Sequence, residues 1–161
     1  MSNREEIVQE LGFGIVPNVF DRASGNPAVE SALWQMFRRI ILQGELPRTI
    51  KEMMGVLVSN VGNSPYAAQI HLHALSVQNV EAPILVALQD GRIPEGVSPE
   101  VTALLQFAQE AAKSPNDPSV TGRLVEAGLS DAEVIEAVAV IALFRGVNAW
   151  TDLLAIPVDD V

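Results

Sequence analysis

The sequence predicts an all-α fold, and three features of the chain support this prediction. Three segments begin with a polar residue followed by proline, which is typical of a capped helix start: Asn26-Pro27, Ser64-Pro65 and Ser98-Pro99. Apolar residues after these starts recur every three or four positions, which is the spacing of one helix face. No segment alternates apolar and polar residues as a strand does, and no Asn-Gly hairpin signal occurs.

The first part of the chain predicts a short helix and a longer one. Residues 4–11 form the short helix, which is expected to end at Gly12, and a loop follows from Gly12 to Pro17. The longer helix begins at Asn26-Pro27 and is expected to run to about Gln43, where Gly44 stops it.

The segment Leu46 to Val77 predicts an antiparallel helix hairpin with its turn at Asn60 to Asn63. Pro47 is expected at the first helical position, where its missing N–H would be unpaired in any case. Glu52 and His71 lie at roughly 15 and 12 Å from the turn, given a rise of about 1.5 Å per residue. The carboxylate of Glu52 and the imidazole of His71 are therefore expected to meet across the hairpin.

The residues after the hairpin predict two further helices. Glu81-Ala82-Pro83 begins a short helix that ends near Asp90-Gly91, and residues 91–98 have the glycine and proline density of a loop. The second of these helices begins at Ser98-Pro99 and runs to about Lys113.

The last third of the chain predicts a short helix and a long final one. Asp117 caps the short helix, and Gly128 ends it. Ser130 and Glu133 form a capping box at the start of the final helix, which runs to about Ala155. Because the helix is apolar nearly all round between Val134 and Phe144, we expect it to be buried on all sides.

The composition limits the domain number, the partners and the location of the protein. A length of 161 residues predicts one domain over residues 1–161, and a formal charge of −10 argues against nucleic acid and against anionic membranes. Residues 1–6 are polar and acidic, without the hydrophobic region of a signal peptide. The longest purely apolar run, Ala137 to Phe144, is far shorter than the roughly 20 residues of a membrane span. We expect a soluble, cytoplasmic protein.

The hairpin carries a recognisable motif. The order and spacing of Glu52, Ser64-Pro65-Tyr66-Ala67 and His71 resemble the signature of the AhpD-like alkylhydroperoxidase and carboxymuconolactone decarboxylase superfamily. Thiol members of that superfamily carry a glutamate, then Cys-x-x-Cys at a helix start, then a histidine. Val58-Ser59 also falls into register with the motif, and the segment from Gly128 onward is similar to the superfamily's closing helix. The resemblance covers most of the chain after about residue 27.

This chain departs from the superfamily at the redox positions. Ser64 and Ala67 replace the two cysteines, and the chain contains no cysteine at all. On the final helix, Arg145 and Ala149 replace an asparagine and an arginine that are frequent there. The resemblance implies an AhpD-like helical domain around the central hairpin, assembled as a trimer or hexamer. Carboxymuconolactone decarboxylases also lack the thiol pair, so the loss of cysteine does not by itself exclude catalysis.

Each candidate site residue has two interpretations. Glu52 and His71 are either a catalytic acid–base pair or a buried structural hydrogen bond. Ser64 is either a nucleophile and substrate-binding residue beside His71 or simply the cap of its helix, and the cap is favoured. Tyr66 either hydrogen-bonds a substrate or is a packed aromatic residue with a solvated hydroxyl. His71 and His73 point about 200° apart on a helix, so neither a metal nor a cofactor is expected.

Two functions are compatible with these residues. The first is a cofactor-free acid–base enzyme, decarboxylase-like or related, that acts on a small organic acid or lactone. The second is a catalytically degenerate, alkylhydroperoxidase-like homo-oligomer that serves as a binding or structural protein with or without a small-molecule ligand. A polar pocket that is lined by Glu52 and His71 and open to solvent favours the enzyme, and a dry, fully packed pair favours the structural role.

We predict that the purified protein has no thiol-dependent peroxidase activity. Both positions of the Cys-x-x-Cys pair are occupied by residues without a thiol, and no other cysteine can substitute. The measurement is turnover of an organic hydroperoxide coupled to a dithiol reductant. Steady turnover that depends on this protein would contradict the prediction.

Overall fold

The computed structural model describes residues 2–161, and every regular element within them is helical. The α-helices are α1 Asn3–Leu11, α2 Asn18–Asp21, α3 Pro27–Phe37, α4 Arg48–Val61, α5 Pro65–Val77, α6 Ala82–Gln89, α7 Pro99–Lys113, α8 Gly122–Glu126 and α9 Asp131–Leu153. Arg22–Gly25 and Pro118–Thr121 form 3₁₀ turns, and Arg38–Leu42 is a π-helical turn. The all-α prediction is confirmed.

Four of the nine α-helices in residues 2–161, α1, α3, α7 and α9, begin with a side-chain cap. The side chain of Asn26 accepts a hydrogen bond from the backbone of Val29 at the start of α3, and Ser98 caps α7 in the same way. Ser130 and Glu133 form the predicted capping box of α9. In each case a side-chain oxygen satisfies a backbone N–H that has no partner within the helix.

Two boundaries differ from the prediction. Pro47 is the N-cap residue of α4 and not its first helical residue, since the helix begins at Arg48. The helix after Asn26 does not continue regularly to Gln43, because α3 ends at Phe37 and the chain proceeds through the π turn. The short α2 and the 3₁₀ turn after it carry no periodic signal, because one turn is too short to show one.

The helix α4 lies at the centre of the molecule. Every one of its residues from Lys51 to Ser59 is buried, and α5, α6, α7 and α9 all pack against it. The link to α5 is only residues 62–64, so the two helices return side by side as a hairpin. The side chains on the face where α4 and α5 meet therefore lie inside the protein.

An ion pair joins α4 to α9. Lys51 is fully buried, and its ammonium group contacts the carboxylate of Glu136 and donates to the carbonyl oxygens of Ile40 and Gln43. Glu136 also accepts from the backbone N–H of Glu45 at 2.7 Å. The π turn, the loop before α4 and α9 are therefore held together by one pair of buried charges, which the sequence did not predict.

The predicted burial of α9 on all sides is wrong for the isolated chain. Its side chains Ile135 and Val138 are 70% and 43% exposed, although Val140 and Phe144 are buried in the core. By length and composition alone α9 could cross a membrane, with a mean hydropathy of 1.5 over its most apolar window. Its packing against α4, α5 and α7 is instead that of a core helix.

We predict that Glu136→Gln lowers the free energy of unfolding by about 3 kcal/mol, because it leaves the ammonium of Lys51 buried without its counter-charge. Chemical denaturation monitored by circular dichroism measures the change. The matched control is Glu126→Gln, which alters an exposed carboxylate on α8 and is expected to change stability by less than about 0.5 kcal/mol. Equal stability of the two variants would contradict the role of the ion pair.

Candidate functional site

Glu52 and His71 meet across the α4–α5 hairpin, as their heights above the turn predict. Oε2 of Glu52 lies 2.7 Å from Nδ1 of His71. The side chains are 1% and 2% exposed, so the pair is shielded from solvent. A short contact between a carboxylate and an imidazole in a shielded site is a strong hydrogen bond, and it fixes the orientation of the ring.

The other carboxylate oxygen of Glu52 faces Arg48. Nε of Arg48 lies 3.3 Å from Oε1 of Glu52, and the same guanidinium reaches the carbonyl oxygens of Glu10 and Leu11 at 3.5 and 3.4 Å. Arg48 thereby balances the buried charge of Glu52 and ties it to the end of α1. Sequence reasoning missed Arg48, although its position one helical turn before Glu52 is the spacing of a helical ion pair.

The contact with Glu52 assigns the proton of the neutral His71 ring. An ionised carboxylate only accepts hydrogen bonds, so Nδ1 carries the hydrogen and Nε2 carries a lone pair. Within residues 2–161, Nε2 of His71 is buried and has no hydrogen-bond partner. Buried polar atoms are normally paired, and an unpaired one of this kind requires an explanation.

The position of the His71 ring depends on a glycine and an aromatic residue. The edge of the ring packs on Phe144 of α9, with the ring centres 4.2 Å apart. On the facing turn of α4, a Cβ atom at Gly55 would lie 2.9 Å from carbon atoms of both rings. Only glycine leaves room for this approach, so Gly55 and Phe144 hold the imidazole from two sides.

A small cavity adjoins the pair. Its volume is about 20 Å³, enough for on the order of one water molecule. Glu52 and His71 are its polar side chains, and the remaining lining residues are apolar: Leu11, Phe13, Pro17, Val19, Phe20, Leu33, Phe37, Ile70, Ala74 and Val147. The N-terminal segment therefore covers a closed, apolar space beside the imidazole.

Ser64 does not act as predicted. It stands at the N-cap position of α5, but its hydroxyl makes no cap hydrogen bond to that helix. The hydroxyl instead donates to Oδ1 of Asp152 at 2.8 Å and lies 3.4 Å from the hydroxyl of Thr151. Ser64 is buried, it contacts α9, and it does not line the cavity. The hydroxyl of Ser64 therefore binds the carboxylate of Asp152, which is distant in sequence, and not the backbone N–H groups at the start of α5.

Tyr66 also differs from the prediction, because its hydroxyl is not solvated. It accepts a hydrogen bond from the backbone N–H of Val19 at 2.9 Å and donates to Oδ2 of Asp159 at 2.5 Å. Burial, together with the bond to Asp159, raises the pKa of Tyr66 far above its ordinary value. With both hydrogen-bonding functions occupied, Tyr66 holds the C-terminal segment against α2 and does not line the cavity.

His73 lies outside the lining of the cavity, but it contacts Phe13, which is part of that lining. Its ring packs edge-on against Phe13, with centres 4.8 Å apart. Among residues 2–161, no group of three or more His, Cys, Asp or Glu side chains is placed to hold a metal ion.

Comparison with known proteins supports the fold. No family model and no curated protein matches the chain. Among solved structures, the debrominase Bmp8 in complex with 2,3,4-tribromopyrrole superposes with a TM-score of 0.84 at 21% identity, covering 98% of this chain and 84% of that chain. A peroxidase-related protein with an alkylhydroperoxidase AhpD core from Ralstonia eutropha gives 0.84 at 22%, with 98% and 85% covered.

A third structure, a putative antioxidant defence protein AhpD from Agrobacterium tumefaciens, superposes with a TM-score of 0.73 at 14% identity and covers 88% of this chain and 97% of that one. The chain has the AhpD-like fold. The resemblance read from Glu52, Tyr66 and His71 is therefore confirmed for the fold, in an AhpD-like chain that lacks the cysteine pair.

We predict that Gly55→Ala lowers the free energy of unfolding by about 1–3 kcal/mol and displaces the His71 ring, because the added methyl group overlaps both rings. Chemical denaturation and the NMR signals of His71 report the two effects. The matched control is Gly122→Ala at the start of α8, where an added Cβ meets no atom within 4 Å. That variant is expected to be neutral or more stable by up to about 1 kcal/mol. A stabilised Gly55→Ala with unchanged His71 signals would contradict the close approach.

Proposed function

We propose that this AhpD-like chain is a cofactor-free acid–base enzyme, decarboxylase-like or related, in which His71 exchanges a proton with a small organic acid or lactone. The observation that carries the proposal is the buried, unpaired Nε2 of His71 beside a cavity, opposite a nitrogen that Glu52 fixes. Nε2 of His73 is also buried and unpaired, so His71 is distinguished by the carboxylate on its other nitrogen and by the cavity that it lines.

The geometry supports one sequence of proton movements. Nε2 of His71 takes a proton from an acidic C–H of the substrate, the C–H bond breaks, and its electron pair remains on the substrate as an enolate. The imidazolium that forms is stabilised through Nδ1–H by the carboxylate of Glu52. Return of the proton to another carbon isomerises the substrate. In a decarboxylation, Nε2 instead takes the proton of the carboxylic acid, the C–C bond breaks with loss of carbon dioxide, and the same proton returns to the carbanion that is left.

Arg48 restrains the carboxylate during this cycle. Its guanidinium holds Oε1 of Glu52, so Oε2 stays directed at His71. The guanidinium remains charged at neutral pH, so a cation stays beside Glu52 throughout the cycle. We assign Arg48 and Glu52 as positioning residues, while His71 alone contacts the substrate.

The similar structures support a small ligand but do not supply the reaction. The debrominase structure holds a compact brominated pyrrole, which indicates that this fold can enclose a molecule of that size. Our proposal differs from a thiol mechanism, since the chain has no cysteine. In the second candidate function, a degenerate binding or structural protein, the Glu52–His71 bond is only structural. The closed state and small size of the cavity favour this alternative.

We predict that the protein accelerates exchange of the α hydrogen of a β,γ-unsaturated γ-lactone with D₂O, or decarboxylation of acetoacetate, and that His71→Gln lowers the rate about 100-fold or more. Proton NMR follows both reactions. Ser76→Ala, at an exposed position of the same helix and outside the cavity lining, is the matched control and should retain the parent rate.

Absence of any acceleration by the parent protein with both compounds would favour the structural role. A rate in His71→Gln equal to that of the parent would exclude His71 as the base.

We further propose that the protein is a homo-oligomer, a trimer or hexamer, that associates through α9, and that it is cytoplasmic and binds neither nucleic acid nor membranes. An exposed row of small and apolar side chains runs along α9 at spacings of three, four or seven: Ile135, Val138, Ala142, Ala149 and Leu153. Apolar residues repeated at these spacings form the face through which two helices pack against each other. Association would complete the burial of α9 that the sequence predicts.

We predict that Ile135→Glu dissociates the oligomer while the chain stays folded, because a charge would be buried at the contact between copies. Light scattering coupled to size-exclusion chromatography measures the mass, and circular dichroism measures folding. Val86→Glu alters an exposed apolar residue on α6 and serves as the control. A folded parent monomer at micromolar concentration would contradict the proposal.

A further inference from the structure

We infer that the cavity beside His71 selects an uncharged, mostly apolar ligand that carries one acidic hydrogen, and that it excludes carboxylates. This inference rests on the proposed function, in which Nε2 of His71 is a proton acceptor. It narrows the substrate from an organic acid or lactone to the lactone type and to other neutral acids with a C–H, N–H or O–H donor. Of the two test substrates above, only the lactone is therefore expected to react, and acetoacetate is excluded by its carboxylate.

The charges around the cavity exclude an anion. No lysine or arginine lines it, and its one charged wall residue is the carboxylate of Glu52. Arg48, the nearby cation, already serves Glu52 and two carbonyl oxygens and is absent from the lining. A ligand carboxylate would lose its hydration and gain a like charge as its neighbour, with no cation to compensate.

The lone pair on Nε2 selects for a donor. Glu52 and His71 are the polar residues of the lining. Nδ1 of His71 is bound to Glu52, whereas Nε2 is unpaired. A ligand with one donor satisfies it, and the apolar walls take up the rest of the molecule. A ligand of the same shape without a donor would displace water and leave Nε2 unpaired, which reduces its affinity.

Entry of such a ligand requires movement of the segment we call the strap, residues 12–17. The strap is anchored at both ends, by Arg48 on the carbonyl of Leu11 and by Asp159 on the backbone N–H of Asn18. Between the anchors, residues 13–16 make no hydrogen bond to any other part of residues 2–161. Gly12 and Gly14 have φ values of 78° and 74°, and Phe13 between them covers the cavity.

The ring of Phe13 is the part of the strap that restricts the available space. At about 20 Å³ the cavity is too small for a six-membered ring, so a ligand of that size binds only when Phe13 moves outward. Truncation of Phe13 should therefore enlarge the cavity and increase affinity without adding any charge or donor. Ile15 lies on the same strap but does not line the cavity, and it provides the matched control.

The experiment compares three monosubstituted benzenes: phenol, which has a donor, anisole, which has none, and benzoate, which is an anion. Binding is followed by ligand-detected NMR and by the ¹⁵N signal of His71 Nε2. Phenol is expected to bind and shift that signal, anisole to bind about 10-fold more weakly without the same shift, and benzoate to bind at least about 100-fold more weakly than phenol. Phe13→Ala should strengthen phenol binding, whereas Ile15→Ala should not.

Tighter binding of benzoate than of phenol would overturn the inference, and so would failure of all three probes to bind both the parent and Phe13→Ala. Selective phenol binding in a protein that catalyses no proton exchange would support the selectivity of the cavity while the proposed catalysis fails. Phenol and anisole of equal affinity would overturn the requirement for a donor.

Discussion

Two adjacent charged residues, Lys51 and Glu52, are buried on the central helix, and the structure depends on how each charge is compensated. Buried charges are tolerated only when they are paired. Because successive side chains of a helix diverge by about 100°, the two must find partners on different elements. Lys51 binds Glu136 of α9 and the carbonyls at the end of the π turn, whereas Glu52 binds His71 of α5 and Arg48.

This division gives the two charges different roles. The Lys51–Glu136 pair also engages backbone groups, so it stabilises the assembly of α4 with α9. The Glu52–His71 pair borders an apolar space and leaves one ring nitrogen unpaired. The same physical requirement thus produces a stabilising contact on one side of α4 and, on the other, the histidine that we propose as the base.

The fold was predictable because its signals are local. The helix starts at Asn26, Ser98 and Ser130 depend on backbone groups within one turn, and the Glu52–His71 contact depends only on counting residues from a tight turn. The failures involve distant partners. The hydroxyl of Ser64 binds Asp152 instead of capping its helix, and the hydroxyl of Tyr66 binds Asp159 instead of water. Each partner lies more than 80 positions further along the chain.

The features that make the site distinctive are of the same long-range kind. No local pattern shows that residues 12–17 cover His71 or that Gly55 faces Phe144, because both contacts arise from packing between separate helices. The sequence shows that cysteine is absent, but it does not show what this absence means for the chemistry of the site. The hydroxyl of Ser64 is bound to Asp152, whereas Nε2 of His71 is unpaired, and this difference is the reason that we propose His71 as the base.

The most direct test of this account is the tautomer of His71, measured from its ¹⁵N chemical shifts and its couplings to ring protons at neutral pH. The account predicts a neutral ring with the hydrogen on Nδ1, bound to Glu52, and a lone pair on Nε2. In Glu52→Gln the preference for this tautomer should weaken, because the amide can either donate or accept. A parent protein with its hydrogen on Nε2, or a tautomer unaffected by Glu52→Gln, would contradict the assignment of His71 as a base oriented by Glu52.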